Sequence, residues 1–316
     1  MKYQNKGNKP TKTGFGEGVL AAAQQDSRVV GLGADITNSV GMNFFAEAFP
    51  DRFFSMGIAE QDCVATAAGL ALSGKIPVFS TYGVFAAHRA NDQIRISVCY
   101  NNVHVVIGGA HAGVSVGPDG ATHQALEDMA TMRVLPNMTV ISPCDATQAK
   151  IATTKAILEC KGPVYVRFGR EAVPDFTAEN QEFEIGKAQL MREGNDITIV
   201  ATGHEVWETL EAAKILEQKN ISARVINMHT IKPLDGEILM KAANETRMVF
   251  TVEEHQIAGG LGGAVAEYLS ENHPIKVVRI GMDDRFGESG QASELMHKFG
   301  LDAEGIVRRV LTELGK

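Results

Sequence analysis

The sequence has few of the features that mark secreted, membrane or nucleic-acid-binding proteins. Its four cysteines, Cys63, Cys99, Cys144 and Cys160, are scattered, with no CxxC and no Cys/His spacing. That excludes a disulfide framework and a structural metal site, and it predicts reduced, mostly buried thiols in a cytoplasmic protein. No window approaches about eighteen uninterrupted apolar residues, so no membrane span is expected. The N-terminal MKYQNKGNKPTKTGFGEG is basic but lacks an apolar core, so no secretory signal is expected either. No long lysine or arginine run occurs and the net charge is −8, which argues against nucleic acid or an anionic membrane surface as a partner. Repeats of fixed period and low-complexity tracts are absent.

What remains is a globular pattern. A hydrophobic share of 44% and a charged share of 22% are ordinary for a folded chain, and 316 residues are enough for two cores. Short β-branched runs at residues 29–35, 77–81, 103–109, 138–143 and 162–169 alternate with helix-length stretches at 59–73, 86–98 and 146–159. Buried strands alternating with helices imply right-handed crossovers and a parallel sheet covered on both faces. The polar stretch 174–184 has no period and reads as a linker. Beyond it the alternation restarts, with strands at 197–202, 223–228, 248–254 and 275–281 and helices at 205–218, 235–244 and 261–270. The expectation is therefore an α/β chain of two parallel-sheet domains, 1–176 and 185–316, the second smaller.

Three runs in the first domain carry chemistry. In MGIAEQDCVATAAGLALSG, Glu60 falls at the start of a helix rich in small residues. A carboxylate there offsets exposed N–H groups at the helix end, which is sufficient reason for a lone Glu. A strand end meeting a helix start in a parallel sheet is also where ligands collect. In FSTYGVFAAHRANDQIR, the rings of Tyr82, Phe85 and His88 recur at intervals of three and would share a face on a helical turn. They are either ordinary packing or a shelf for a flat heterocycle. In HAGVSVGPDGATHQALED, three glycines stand beside His111, Asp119 and His123, where backbone can approach a ligand closely. The spacing of these histidines does not suit zinc. Arg170, in VRFGRE, follows a strand and could reach an anion at the same sheet edge. The second-domain string GGLGGAV lacks the acidic residue a dinucleotide fold needs and reads as close helix–sheet packing.

Taken in order, GIAEQ, the Tyr82/Phe85 segment, GGAHAGVSVGPDGATHQALED and VYVRFGRE resemble the pyrimidine-binding domain of transketolases. MHTIKPLD and EEHQIAGGLGGAV resemble the transketolase C-terminal domain. The GDG…N motif, which in that family binds Mg²⁺ and the cofactor diphosphate, is missing. The resemblance therefore implies the C-terminal subunit of a split transketolase. Such a subunit would share thiamine diphosphate with a separate N-terminal subunit that carries the Mg²⁺ ligands, as two copies of each chain.

The resemblance also implies roles. Glu60 would hydrogen-bond the pyrimidine, Tyr82, Phe85 and His88 would form the stacking wall, and Asp35 would line the cofactor. Ser39, His111, Arg170 and Lys12 would face the anionic end of a sugar substrate, and Asp119 and His123 its hydroxyls. Glu60, His111 and His123 would be the catalytic groups, moving a two-carbon unit from a ketose to an aldose. Three positions depart from the family pattern: Lys12 stands where an arginine is usual, His88 where a tyrosine is, and Tyr82 where a phenylalanine is. A lysine does not replace a bidentate arginine fork, so the anionic tail could be a phosphate or a sulfonate. Deoxyxylulose-phosphate synthase shares several of these strings, and the 2-oxoacid dehydrogenase beta subunit is similar in architecture but fits the THQALED loop poorly. A non-catalytic scaffold on the same fold is the alternative outside enzymes.

Overall fold

The computed structural model describes residues 3–316. Its strands run in chain order β1 (Asn8–Pro10), β2 (Val29–Gly33), β3 (Phe53–Ser55), β4 (Ile76–Tyr82), β5 (Val106–Ala110), β6 (Thr139–Ile141), β7 (Val164–Arg167) and β8 (Ala172–Pro174). They continue as β9 (Gln189–Arg192), β10 (Ile197–Ala201), β11 (Ala223–Asn227), β12 (Thr230–Lys232), β13 (Val249–Gln256) and β14 (Val277–Met282). A seven-stranded sheet has the order β12-β6-β7-β5-β4-β2-β3 and a five-stranded sheet the order β14-β13-β10-β11-β9, while β1 and β8 form a small antiparallel pair.

The central strands behave as their composition requires. Every residue of β2, β5, β10 and β11 is buried, as expected where helices cover both faces of a parallel sheet. The edges differ from the all-parallel expectation: β12 lies antiparallel to β6, and β9 antiparallel to β11. Strand β12 belongs by chain position to the second half yet completes the sheet of the first. The two halves are thus joined by hydrogen-bonded backbone as well as by side chains.

Helices Thr11–Gln25, Ala292–Phe299 and Ala303–Glu313 add to the elements expected from the sequence. The first carries Gly14, Gly16 and Gly18, a poor helix composition that tertiary contact overrides. A Cβ at Gly14 would lie 2.0 Å from the Ala146 carbonyl oxygen, so glycine is what lets this helix lie against helix Ala146–Leu158. The expected regular helix at 86–98 is instead a series of wide turns, five-residue hydrogen-bonded loops at Phe85–Arg89 and Ile94–Tyr100 flanking a short α-turn at Asn91–Gln93. Wide turns of this kind concentrate at functional sites.

The stretch read as a linker is pinned. Asp145 is fully buried; it caps helix Ala146–Leu158 through Gln148 N at 2.7 Å and accepts from Phe176 N and Thr177 N at 2.9 and 2.6 Å. Phe183 stacks on His229, ring centroids 4.1 Å apart. The polar composition of 174–184 hid these two anchors. All four cysteines are free thiols, three of them buried.

Candidate functional site

The carboxyl ends of the parallel strands in the seven-stranded sheet collect most of the residues singled out above. Asp35 and Ser39 follow β2, Tyr82 ends β4, His111 follows β5, and Arg170 follows β7. Glu60 opens helix Glu60–Leu72 after β3 and is 2% exposed. The first turn of that helix has no side-chain cap, so the carboxylate offsets its unpaired N–H groups. The helix also buries Cys63, whose thiol is pushed up to about 12 by burial, then by Asp62 and Glu60, and is inert as a nucleophile.

Glu60 has a partner that the sequence did not suggest. Arg89 Nη1 donates to Glu60 Oε1 at 2.7 Å, and the same guanidinium lies over the Phe85 ring, 4.0 Å from its centroid. A flat N–C–N cation is therefore held between a buried carboxylate and an aromatic face. The available signal was the spacing of Phe85 and Arg89, about one helical turn apart.

The other rings form one cluster, with different members from those expected. Tyr82 lies beside Phe85 at 5.6 Å between centroids and against His111 at 4.1 Å. His123 meets the edges of both Tyr82 and Phe85, at 5.6 and 5.8 Å. Tyr82 is the last residue of a strand, so it does not share a helical face with Phe85 and His88. His88 turns to Glu127, with Nε2 3.6 Å from Oε2, and this carboxylate raises its pKa against the opposing effect of burial.

His111 occupies left-handed backbone (φ 54°) and is 3% exposed. Its pKa is lowered to about 4, first by burial and then by the positive charges of Lys12 and Arg170. At neutral pH it is a neutral imidazole, and its buried Nδ1 has no hydrogen-bond partner among the described residues. Such an atom is the sort of group that meets a ligand. Arg170 reaches back to the glycine loop: its Nη1 donates to Asp119 Oδ1 at 3.0 Å and to the Val116 carbonyl at 3.1 Å. Thr122 Oγ1 is 2.9 Å from His123 Nδ1. Lys12 sits at the start of helix Thr11–Gln25, and its carbonyl presses on Gly41, at the end of the loop that bears Asp35 and Ser39. Asp35 has φ 63°, and neither Asp35 nor Ser39 makes a side-chain hydrogen bond among the described residues.

The loop is shaped by the second half of the chain. Gly113 has φ +88°, and a Cβ there would lie 2.1 Å from the Glu254 carboxyl carbon, so no other residue fits. Gln124 is buried; its Nε2 donates to the Val114 carbonyl at 3.0 Å and to the Glu288 carbonyl at 2.9 Å. Arg167, buried against Asp128, also donates to the Glu254 carbonyl at 2.8 Å. Reading strings within one domain cannot find these supports from distant segments.

Comparison with known proteins matches residues 8–175 to the transketolase pyrimidine-binding domain and residues 186–306 to the transketolase C-terminal domain. The chain is 46% identical to a putative transketolase C-terminal section of Methanocaldococcus jannaschii, covering 98% of this chain and 97% of that protein. It is 42% identical to a 6-deoxy-6-sulfo-D-fructose transketolase subunit of a Clostridium species, over 92% of this chain and 90% of that one. It is also 42% identical to an apulose-4-phosphate transketolase subunit of Phocaeicola vulgatus, over 94% of this chain and 95% of that one. Among solved structures, a split-gene transketolase described as an inactive β4 tetramer superposes with a TM-score of 0.89 at 47% identity, covering 96% of this chain and 97% of that one.

Proposed function

The chain belongs to the transketolase family, and from that premise we propose that it is the C-terminal subunit of a split enzyme moving a two-carbon ketol unit from an anionic ketose to an aldose. The arrangement that carries this reading is the Glu60–Arg89–Phe85 sandwich. A planar, hydrogen-bond-donating group already rests on the Phe85 face against the buried Glu60 carboxylate. A protonated aminopyrimidine presents the same shape and donors, so these residues fit thiamine diphosphate. When bound, the cofactor supplies the carbanion stabilisation that breaking a ketose C–C bond requires.

The protein's own contributions follow from its geometry. Glu60 accepts a hydrogen bond from the ring and anchors a proton there, out of bulk water. Phe85 provides the stacking face, with Tyr82 and His123 holding it from the side; Asp35 and His88 line the rim. His111, as an uncharged imidazole, can accept or donate a proton at substrate oxygens, and His123 brings its ring nitrogens to the same cluster. Lys12 and Arg170 supply positive charge beside His111, with Ser39 and Asp119 as polar contacts, in a chain of net charge −8. That suits a donor with an anionic tail. Two relatives are named for a sulfonated and a phosphorylated sugar respectively, so the tail's charge is the shared chemistry.

On this reading an N-terminal partner chain holds the diphosphate and Mg²⁺, in a two-plus-two heterotetramer. The similar split-gene chain described as an inactive tetramer supports this division of labour. Domain limits near 176 and 185 fit the sheets, with β12 exchanged across them. No helix among the described residues is long and apolar enough to cross a membrane, and free thiols suit the cytoplasm.

The test is to mix the purified chain with its partner and assay ketol transfer from phosphorylated, sulfonated and neutral ketoses, with pyruvate as a control donor. Transfer should need both chains and the cofactor, and Lys12→Ala should weaken anionic donors more than neutral ones. Pyruvate-dependent condensation alone would move the chain to the synthase reading. Absence of both turnover and cofactor binding would leave the scaffold.

A further inference from the structure

Behind the glycine loop, on the side away from the ring cluster, two buried carboxylates and an imidazole converge between the two halves of the chain. Glu205 opens helix Glu205–Gln218 and is fully buried, yet neither of its carboxylate oxygens has a hydrogen-bond partner among the described residues. Glu254, 3% exposed, comes from β13; it accepts from Ser115 N of the glycine loop, and its Oε2 lies 3.2 Å from His204 Nδ1. His204 Nε2 lies 3.8 Å from Glu205 Oε1. One ligating atom from each of His204, Glu205 and Glu254 falls within 4.8 Å of the others. Ligands about 2.0–2.4 Å from a shared ion can be no farther apart than that.

The neighbouring charged groups are already engaged: Arg167 is bound to Asp128, Glu208 accepts from Ala303 N, and Asp302 caps the last helix through Gly305 N. None of them donates to the Glu205 carboxylate, whose two buried oxygens are unpaired among the described residues. A void of about 20 Å³, enough for one water or ion, lies against His204, Glu254, Ser115, Ser142 and Arg167, with Glu205 outside its lining. His204 also lines a cleft of about 580 Å³ shared with Glu171, Glu208 and Asp302, which gives a hydrated cation an acidic approach.

We propose that His204, Glu205 and Glu254 bind one divalent transition-metal ion, of the Mn²⁺ or Zn²⁺ class, distinct from the Mg²⁺ that accompanies the cofactor. One imidazole with two carboxylates favours such ions over Ca²⁺. Bound there, the ion ties β13 and helix Glu205–Gln218 to Ser115, and so fixes the loop carrying Asp119 from behind. The sequence conceals the site because Glu254 comes from a different strand. The ring cluster shares no ligand with it, so the ion binds whether or not the chain takes part in ketol transfer.

The test uses the full chain alone, stripped with chelator and titrated with Mn²⁺ followed by electron paramagnetic resonance, with Zn²⁺ as competitor. Wild type should bind about one Mn²⁺ per chain, displaced by Zn²⁺, and its melting temperature should rise with either ion. Glu205→Gln should bind at least tenfold more weakly, and so should His204→Gln, whose side chain keeps some contact with solvent (15% exposed) and serves if the first variant is unstable. Failure of wild type to bind, or equal binding by wild type and both variants, would overturn the site. A Glu205→Gln chain more stable than metal-free wild type that binds no Mn²⁺, with wild type also binding none, would show that Glu205 is an uncharged buried acid instead.

Discussion

The two large sheets are built alike, yet their carboxyl edges meet different ends. In the seven-stranded sheet that edge is kept open. Asp35 and His111 sit there in left-handed backbone, the wide turns of 85–100 interrupt a helix, and the rings of Tyr82, Phe85, His111 and His123 gather. In the five-stranded sheet the same edge is closed. After β10, Gly203 N donates to the Ser142 carbonyl at 3.2 Å; at the end of β11, Asn227 Nδ2 donates to Gln148 Oε1 at 3.2 Å; after β13, Gln256 N donates to the Leu126 carbonyl at 2.8 Å. Parallel sheets gather ligands at this edge because their loops and helix N-termini leave donors there. One domain keeps those donors for a ligand, and the other uses them to hold its neighbour's loop.

That contrast can be broken most directly at Glu60. Glu60→Gln removes the acid and almost no volume, so turnover of the assembled enzyme should fall by roughly 10²–10⁴-fold while circular dichroism is unchanged. A loss of only a few-fold would mean that the open edge is not where the chemistry lies. At the closed edge, Asn227→Ala should cost about 1 kcal/mol in a denaturant titration and leave kcat intact, because it removes one of two donors from each of Gln148 Oε1 and Gln189 Oε1, which keep Cys144 N and Gln148 Nε2. A fall in kcat without loss of stability would erase the distinction between the edges. Arg89→Ala should destabilise the isolated chain by about 1 kcal/mol or less, since its side chain is 45% exposed and water screens the pair. The assembled variant should hold thiamine diphosphate no more weakly than wild type. A cofactor affinity at least tenfold poorer would show that Arg89 grips the cofactor and does not merely occupy the place of its ring.

The remaining contrast is in pH. His111 at the open edge and His229 beside the closed one are both lowered to about 4 from the ordinary 6.5, in each case chiefly by burial. The folded chain keeps them neutral while the unfolded chain protonates them, so their contribution is complete above pH 6.5 and is lost as pH falls towards 4. Replacing His111 with Gln should remove about half of the slope that the pair gives in that window, and replacing both most of it. An unchanged slope in the double variant would assign the pH dependence to other groups.

Much of this was legible in the chain. The long strands and helices of both halves carry strong periodicity, and Glu60, Tyr82, Phe85, His111, Asp119, His123 and Arg170 lie in strings dense enough to identify the family. What could not be read is contact between distant segments. Arg89 was visible as a residue, but its pairing with Glu60 depends on the turns of 85–100 being wider than a regular helix. His88 fits the ring spacing, yet Glu127 draws it away. The pinned stretch 174–184 has no period because its order comes from Asp145 and His229, which lie elsewhere in the chain.

Local pattern by itself determined most of the long strands and helices, and which residue types stand at their ends, because burial on a sheet face or helix stripe leaves a period of its own. Only the tertiary structure decided which carboxylate met a guanidinium, which imidazole lost its proton, and which sheet edge stayed open. Those outcomes depend on the charges and backbone brought against each group by segments far away in the chain, and no short-range spacing records them.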